Sequence, residues 1–416
     1  MSEGSGVKIK LLDPEMLGRR FQYAFISFSE RAYIRPSEGE VEFGSVDDFL
    51  DAVEEALKAI LDGLTWPVSS NRRQKCSDLT VQVAGYSIVC NRLDRGPRLY
   101  QLGSKSDFAI IRNAQLDLCK YVTQKCDKTV AWTHAAVSYA LKVLEMEGPL
   151  NGPPEYEIPW LARATLFSKV RSVRGTVDAK GKLIDVDTLG TILLGGALSY
   201  LGSQRLDAGG RGQASEVEFY ILPDYPSKEY RVLRQISAAE GITGNIAART
   251  VRLLRELTVS FEQALALSIA VAVYRHAGIA QKAGVNIDAA LSSGKLYSVQ
   301  PGQRAQVRVG LPLTNVLLHS YERGTINSLE WFIDEALRQK DKEARNAAKN
   351  AASTCLNSLF LQAVSGASGD LYLRDCARDL VAVYNYDKAG NRLKEAARSL
   401  LGRLEWEAVR FLHSMR

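Results

Sequence analysis

Histidine and methionine are scarce in this chain, four of each in 416 residues, and cysteine is little commoner at six. The histidines (His134, His276, His319 and His413) form no HExxH and no HxH, so the usual histidine-built metal hydrolase is excluded. The cysteines at 76, 90, 119, 126, 355 and 376 form no CxxC pair. That spacing fits neither a zinc site nor a dense disulfide framework. Cys355 and Cys376 fall in helical patterns, where a free cysteine acts as a small apolar residue. Reduced thiols in a cytoplasmic protein are therefore expected. Long hydrophobic runs are also missing. The longest, Ala264 to Tyr274, is far short of a bilayer span and reads as a buried helix. No apolar run follows Lys8 and Lys10, so no signal peptide is expected.

Catalytic signatures are missing too. A P-loop around Gly294-Lys295 would need a glycine where Ala289 stands and a hydroxyl where Leu296 stands. Gly209-Gly210-Arg211-Gly212 lacks the spacing of a dinucleotide fingerprint. Ser368 sits in the wrong frame for a nucleophile elbow. Asp185-Val186-Asp187 offers two carboxylates, but no further acidic residue follows at metal-loop spacing, and Asp187 reads better as a helix N-cap. No cofactor and no metal is expected.

What is present is an ordinary globular composition, 46% hydrophobic and 24% charged, in a length that suffices for two or three cores. Few methionines with abundant arginine, alanine and leucine suit a thermophile. The net charge of +6 is unevenly spread. Residues 1–70 carry seven Lys and Arg against thirteen Asp and Glu; residues 71–130 carry eleven against five. A local field of this kind steers an anionic partner even where the total is modest.

Periodicity gives an α+β fold class. Val7 to Leu12 reads as a strand, and Asp13-Pro14 as the start of a short helix. Phe21, Tyr23 and Phe25 alternate as in a strand reaching the turn near Pro36. Ser45 and Asp48 form a capping pair before the helical stripe Phe49, Val53, Ala56, Leu57, Ile60 and Leu61, which Gly63 stops. Leu79 to Arg92 reads as a hairpin turning at Gly85-Tyr86. Helices are predicted over 127–146, 160–173, 187–201, 228–239 and 244–278, and strands over 216–222 and 305–309. From Thr325 on, four helices with short connections predict an antiparallel bundle. The prolines from Pro149 to Pro159 mark the best boundary. The reading is an α+β domain over 1–150, a helix-rich middle domain over 151–322 and a four-helix bundle over 323–416.

Three basic constellations stand out. Arg72, Arg73 and Lys75 precede the hairpin, and Arg92, Arg95, Arg98 and Lys105 follow it with Tyr100 interleaved. Lys169, Arg171 and Arg174 lead into a loop bearing Lys180 and Lys182. Arg249, Arg252 and Arg255 recur at three-residue spacing, a slanting stripe on one helix. Taken singly, each is ordinary surface charge. Together, in a chain without a catalytic signature, they favour a nucleic-acid partner held through its phosphates.

In this arrangement the chain resembles the large subunit of an archaeal CRISPR type I-A interference complex. A basic α+β front, a strand Glu216–Pro223 within a helical middle and a terminal helical bundle carry the resemblance. It implies a non-catalytic subunit that joins guide RNA, DNA and other subunits, inspects the motif beside the DNA target and helps hold the displaced strand. Two rivals stay open. One is an adaptor whose bundle docks a protein partner. The other is an unfamiliar enzyme built around Cys119, His134 or the Asp185–Asp187 pair.

Overall fold

The computed structural model describes residues 6–35, 37–63, 80–83, 86–89, 132–154, 156–159, 161–163, 183–206, 215–239, 246–300, 306–312, 324–365 and 370–414. The chain divides into two compact units, 1–241 with 293–310, and 242–292 with 311–416.

The first unit opens with β1 (Val7–Lys10) and α1 (Leu17–Ile26), followed by β2 (Ala32–Arg35) and β3 (Glu40–Phe43). These strands form an antiparallel sheet in the order β1-β3-β2, with Val7 opposite Phe43 and Ile34 opposite Val41. Then come α2 (Val46–Gly63), the hairpin β4 (Thr80–Val83) and β5 (Tyr86–Val89), α3 (Trp132–Glu145), the short pair β6 (Tyr156–Glu157) and β7 (Leu183–Ile184), and α4 (Val186–Ser199). Strands β8 (Tyr200–Leu206) and β9 (Ser215–Leu222) lead to α5 (Lys228–Ala239). After the second unit's first helices, the chain returns as β10 (Lys295–Gln300) and β11 (Gln306–Pro312), completing a sheet in the order β11-β10-β9-β8.

The core of this unit forms around α4, which is buried along nearly its whole length because its sequence is apolar on every side. Helices α1 and α3 pack against it. Glycine makes that approach possible. A Cβ on Gly195 would collide with the Phe21 carbonyl of α1, and one on Gly190 would collide with the Tyr139 ring of α3. The same crowding explains why 17–26 is a helix where aromatic alternation suggested a strand. Gln22 and Ala24 are as buried as Phe21 and Phe25, so the segment has no wet face to alternate with. Gln22 satisfies itself by accepting from the Leu12 N–H at 2.8 Å and donating to the Lys10 carbonyl at 2.8 Å. The helix begins at Leu17, after Met16, rather than at Asp13-Pro14.

One carboxylate ties the stretch near residue 150 to the helices on either side of it. Asp187, buried on α4, accepts from the Tyr139 hydroxyl at 2.8 Å, the Leu150 N–H at 3.1 Å and the Asn151 N–H at 2.9 Å. The proline-rich stretch is thereby tied into the core between α3 and α4. Residues 1–241 with 293–310 form one compact unit, and the helices over 242–292 belong with the C-terminal bundle.

The second unit contains α6 (Ile246–Glu256), α7 (Phe261–Arg275), the short α8 (Ala277–Lys282) and α9 (Ile287–Ser292), and the bundle. The predicted 244–278 helix is broken where Ser260 caps α7. Its hydroxyl accepts from the Gln263 N–H at 3.2 Å, and the Gln263 side chain returns a bond to the Ser260 N–H at 2.8 Å. The bundle is α10 (Thr325–Arg338), α11 (Lys342–Ser365), α12 (Asp370–Tyr384) and α13 (Asn391–Ser414), closely matching the predicted spans. Each helix packs on its sequence neighbour, and α13 closes back onto α10. A disulfide joins Cys355 of α11 to Cys376 of α12, and both residues are buried. This corrects the expectation of free thiols at these positions. Helical spacing put both cysteines on core faces, but only the pairing of α11 with α12 brings them together.

Candidate nucleic-acid interface

Twelve of the basic residues singled out from the sequence lie outside the described residues: Arg72, Arg73, Lys75, Arg92, Arg95, Arg98, Lys105, Lys169, Arg171, Arg174, Lys180 and Lys182. The hairpin between the first two groups is described. Thr80 pairs with Val89, Val81 with Ile88 and Val83 with Tyr86, in antiparallel register. The chain therefore enters at Thr80 and leaves at Val89 from the same end of the hairpin. Lys75 is five residues before that end and Arg92 three residues after it.

The remaining three, Arg249, Arg252 and Arg255, lie on α6. Two are engaged by carboxylates of α10. Arg249 reaches Glu330 at 3.3 Å and donates to the Ser268 carbonyl at 3.4 Å, and its side chain is only 11% exposed. Arg252 pairs with Asp334 at 2.9 Å. Glu330 also receives Arg275 of α7 at 3.0 Å. Arg249 is thus an internal clamp between α6, α7 and α10, whereas Arg252, paired at the surface, and Arg255 are both exposed. A signal for this was in the sequence. Glu330 and Asp334 are four apart on one helix, matching arginines three apart on another.

The two carboxylates considered for metal binding or catalysis, Asp185 and Asp187, have structural work. Asp185 caps α4, its carboxylate accepting from the Thr188 N–H at 2.7 Å and the Thr188 hydroxyl at 2.9 Å. It takes the role expected of Asp187, which is instead the buried acceptor described above. Tyr139 is held well above the ordinary tyrosine range, first by burial and then by the adjacent Asp187 charge. His134 falls within α3, and Cys119 lies outside the described residues. Among the described residues no three His, Cys, Asp or Glu side chains are grouped as a metal site.

A second basic locus was overlooked in the sequence. Lys228, Arg231 and Arg234 repeat the same three-residue spacing along α5. With the end of α1, β2 and the Tyr225-Pro226-Ser227 approach, Lys228 and Arg231 line a cleft of about 360 Å³. Ser227 caps α5 by accepting from the Tyr230 N–H at 3.1 Å, and its own N–H donates to the Ser27 hydroxyl at 3.1 Å. These bonds fix the helix start against the end of α1. Arg231 reaches Glu30 at 2.9 Å and Glu55 at 3.5 Å. Tyr225 is 60% exposed, with its ring 5.8 Å from that of Tyr23. Asp224, just before it, is neutralised by both Arg20 and Lys295.

No protein-family model and no curated protein sequence matches the chain. Among the described residues, no helix is long and apolar enough to cross a membrane.

Proposed function

We propose that this chain is a non-catalytic nucleic-acid-binding subunit of a ribonucleoprotein assembly, working in the manner of a CRISPR interference-complex large subunit. In that role it contacts DNA and guide RNA, reads the flanking motif and holds the unwound strand. The observation that carries the proposal is the register of the β4–β5 hairpin. Because Thr80 faces Val89, the segments bearing Arg72, Arg73 and Lys75 and those bearing Arg92, Arg95 and Arg98 depart from a common point. A strand held by those basic residues would release a counterion for each phosphate neutralised, which makes the binding salt-dependent.

The buried Cys355–Cys376 link accords with an archaeal, thermophilic cytoplasm, since intracellular disulfides are common in hyperthermophiles. Filter binding of duplex and single-stranded DNA across a salt series tests the proposal. Affinity that falls steeply with salt supports it; binding that is absent, or indifferent to salt, both for the chain and for its assembled complex, rejects it.

A protein-docking adaptor is the second reading. It draws on apolar side chains left exposed on the second unit, among them Trp331 on α10, Leu361 on α11 and Val381 and Tyr384 one turn apart on α12. It requires a chain that assembles with a protein partner yet leaves DNA unbound.

A further inference from the structure

We infer that the cleft at the start of α5 holds one nucleotide of a single strand, with its base on Tyr225 and its phosphate at Lys228 and Arg231. The inference goes beyond the proposed function by adding a site remote in sequence from the hairpin flanks, while resting on that reading for the kind of partner.

Four independent features converge. The first is volume: about 360 Å³ is within the range of small-ligand pockets. The second is an aromatic platform. Tyr225 presents most of its ring to solvent, backed on one side by Tyr23, whose own ring is covered by the Arg19 and Arg20 guanidiniums at 5.1 and 5.7 Å. A ring supported in this way stacks a base at little cost in side-chain entropy.

The third feature is the anion end. Lys228 opens α5 where the helix N-terminus already favours negative charge. Arg231 lies one turn on, with its Nε shut off from solvent and lacking an acceptor. Its partner Glu30 is 73% exposed, so that arm of the ion pair can swing into water when a phosphate arrives. Glu55 keeps Arg231 in place from the other side.

The fourth is Arg234, a further turn along. Its Nε and one terminal nitrogen are buried without a hydrogen-bond partner, and no carboxylate among the described residues pairs with it. Among the described residues this guanidinium has no counter-charge, and it adds to the positive charge along the helix that carries Lys228 and Arg231.

The test is photocrosslinking of the full-length chain to a short single-stranded oligonucleotide carrying 5-iodouridine, with mapping of the modified residue. It is read beside the affinities of Tyr225→Ala and Lys228→Ala. Both side chains are exposed, or free of ion pairs among the described residues, so the variants are expected to fold. The site predicts a crosslink at Tyr225 and a loss of roughly tenfold in affinity for Tyr225→Ala, the scale of one stacked base. Lys228→Ala also reduces the salt slope by about 0.7, the share of one single-strand phosphate. Binding that persists with no crosslink in the cleft and unchanged variants overturns this site but leaves the hairpin-based proposal standing. Complete absence of oligonucleotide binding, for the chain and for its assembled complex, overturns both. A free nucleoside monophosphate that competes as well as the strand overturns the assignment to a polymer.

Discussion

The Tyr139 hydroxyl donates to the Asp187 carboxylate at 2.8 Å across the α3–α4 packing, and both side chains are buried. The two residues are 48 positions apart, and the same carboxylate captures the backbone at 150 and 151. Removing it strands a phenol and two N–H groups. Asp187→Ala is therefore expected to cost about 3 kcal/mol or more, and Tyr139→Phe about 1 kcal/mol, because the carboxylate keeps its two backbone donors. Urea unfolding followed by circular dichroism checks the order. Equal effects would show that the hydrogen bonds are not what holds this junction.

The disulfide between Cys355 and Cys376 closes a loop of 21 residues in sequence. In the chain-entropy account, such a link stabilises by about 3 kcal/mol. Cys355→Ser is expected to lower the midpoint of thermal unfolding, and reductant is expected to act on the wild-type chain only once it unfolds, since both residues are fully buried. Peptide mapping without reduction should recover the two segments joined. Recovery of both cysteines as free thiols would contradict the link.

Arg249 should report on stability rather than on nucleic acid. Arg249→Ala removes a nearly buried guanidinium from Glu330 and the Ser268 carbonyl, with an expected cost of about 2 kcal/mol. DNA affinity should change by less than about twofold, while Arg255→Ala, at an exposed position, should alter binding without altering stability. Melting curves and binding isotherms on the same preparations separate the two effects.

Glu256 at the end of α6 gives the second unit a pH signature. A hydrogen bond from Lys349 at 2.6 Å, with the Lys349 and Arg345 charges, holds this carboxyl below the ordinary glutamate value. A group whose folded pKa is depressed adds stability above its unfolded pKa and loses it as pH falls through the folded one. Stability should therefore decline on acidification below the usual glutamate range. Glu256→Gln should lower stability near neutrality by about 1 kcal/mol or less and flatten the acid decline. An unchanged acid profile in the variant would assign the decline to other carboxylates.

Elements whose burial has a single periodicity were legible in the sequence. The α2 stripe from Phe49 to Leu61 and all four bundle helices were placed within a few residues, because each has one apolar and one wet face. Helix α1 was not, because Phe21, Tyr23 and Phe25 alternate as they would in a strand, and this competes with the helical spacing of the same segment. Strands β8 and β10 were missed for a related reason. Tyr200 and Leu201 continue the apolar run of α4, and Lys295–Gln300 is recognisable as a strand only beside β9, where Leu296 faces Ile221. The tie from Asp187 back to Asn151, which holds the proline-rich stretch to α4, has no local signature in the sequence. Charge clusters were legible as charge but not as partners. The spacing of Glu330 and Asp334 was a signal, but only the structure pairs them with Arg249 and Arg252, and nothing local in α5 reveals that Lys228 and Arg231 line a cleft with Tyr225.

The most direct test of the central claim compares salt slopes. Wild-type chain and a variant with Arg72, Arg73, Lys75, Arg92, Arg95 and Arg98 all changed to Gln are titrated with single-stranded and duplex DNA between low and physiological salt. The account predicts that the variant retains its melting temperature while its slope of log affinity against log salt falls by several units, about 0.7 to 0.9 for each phosphate that is no longer neutralised. A variant whose slope and affinity equal those of the wild type would contradict it.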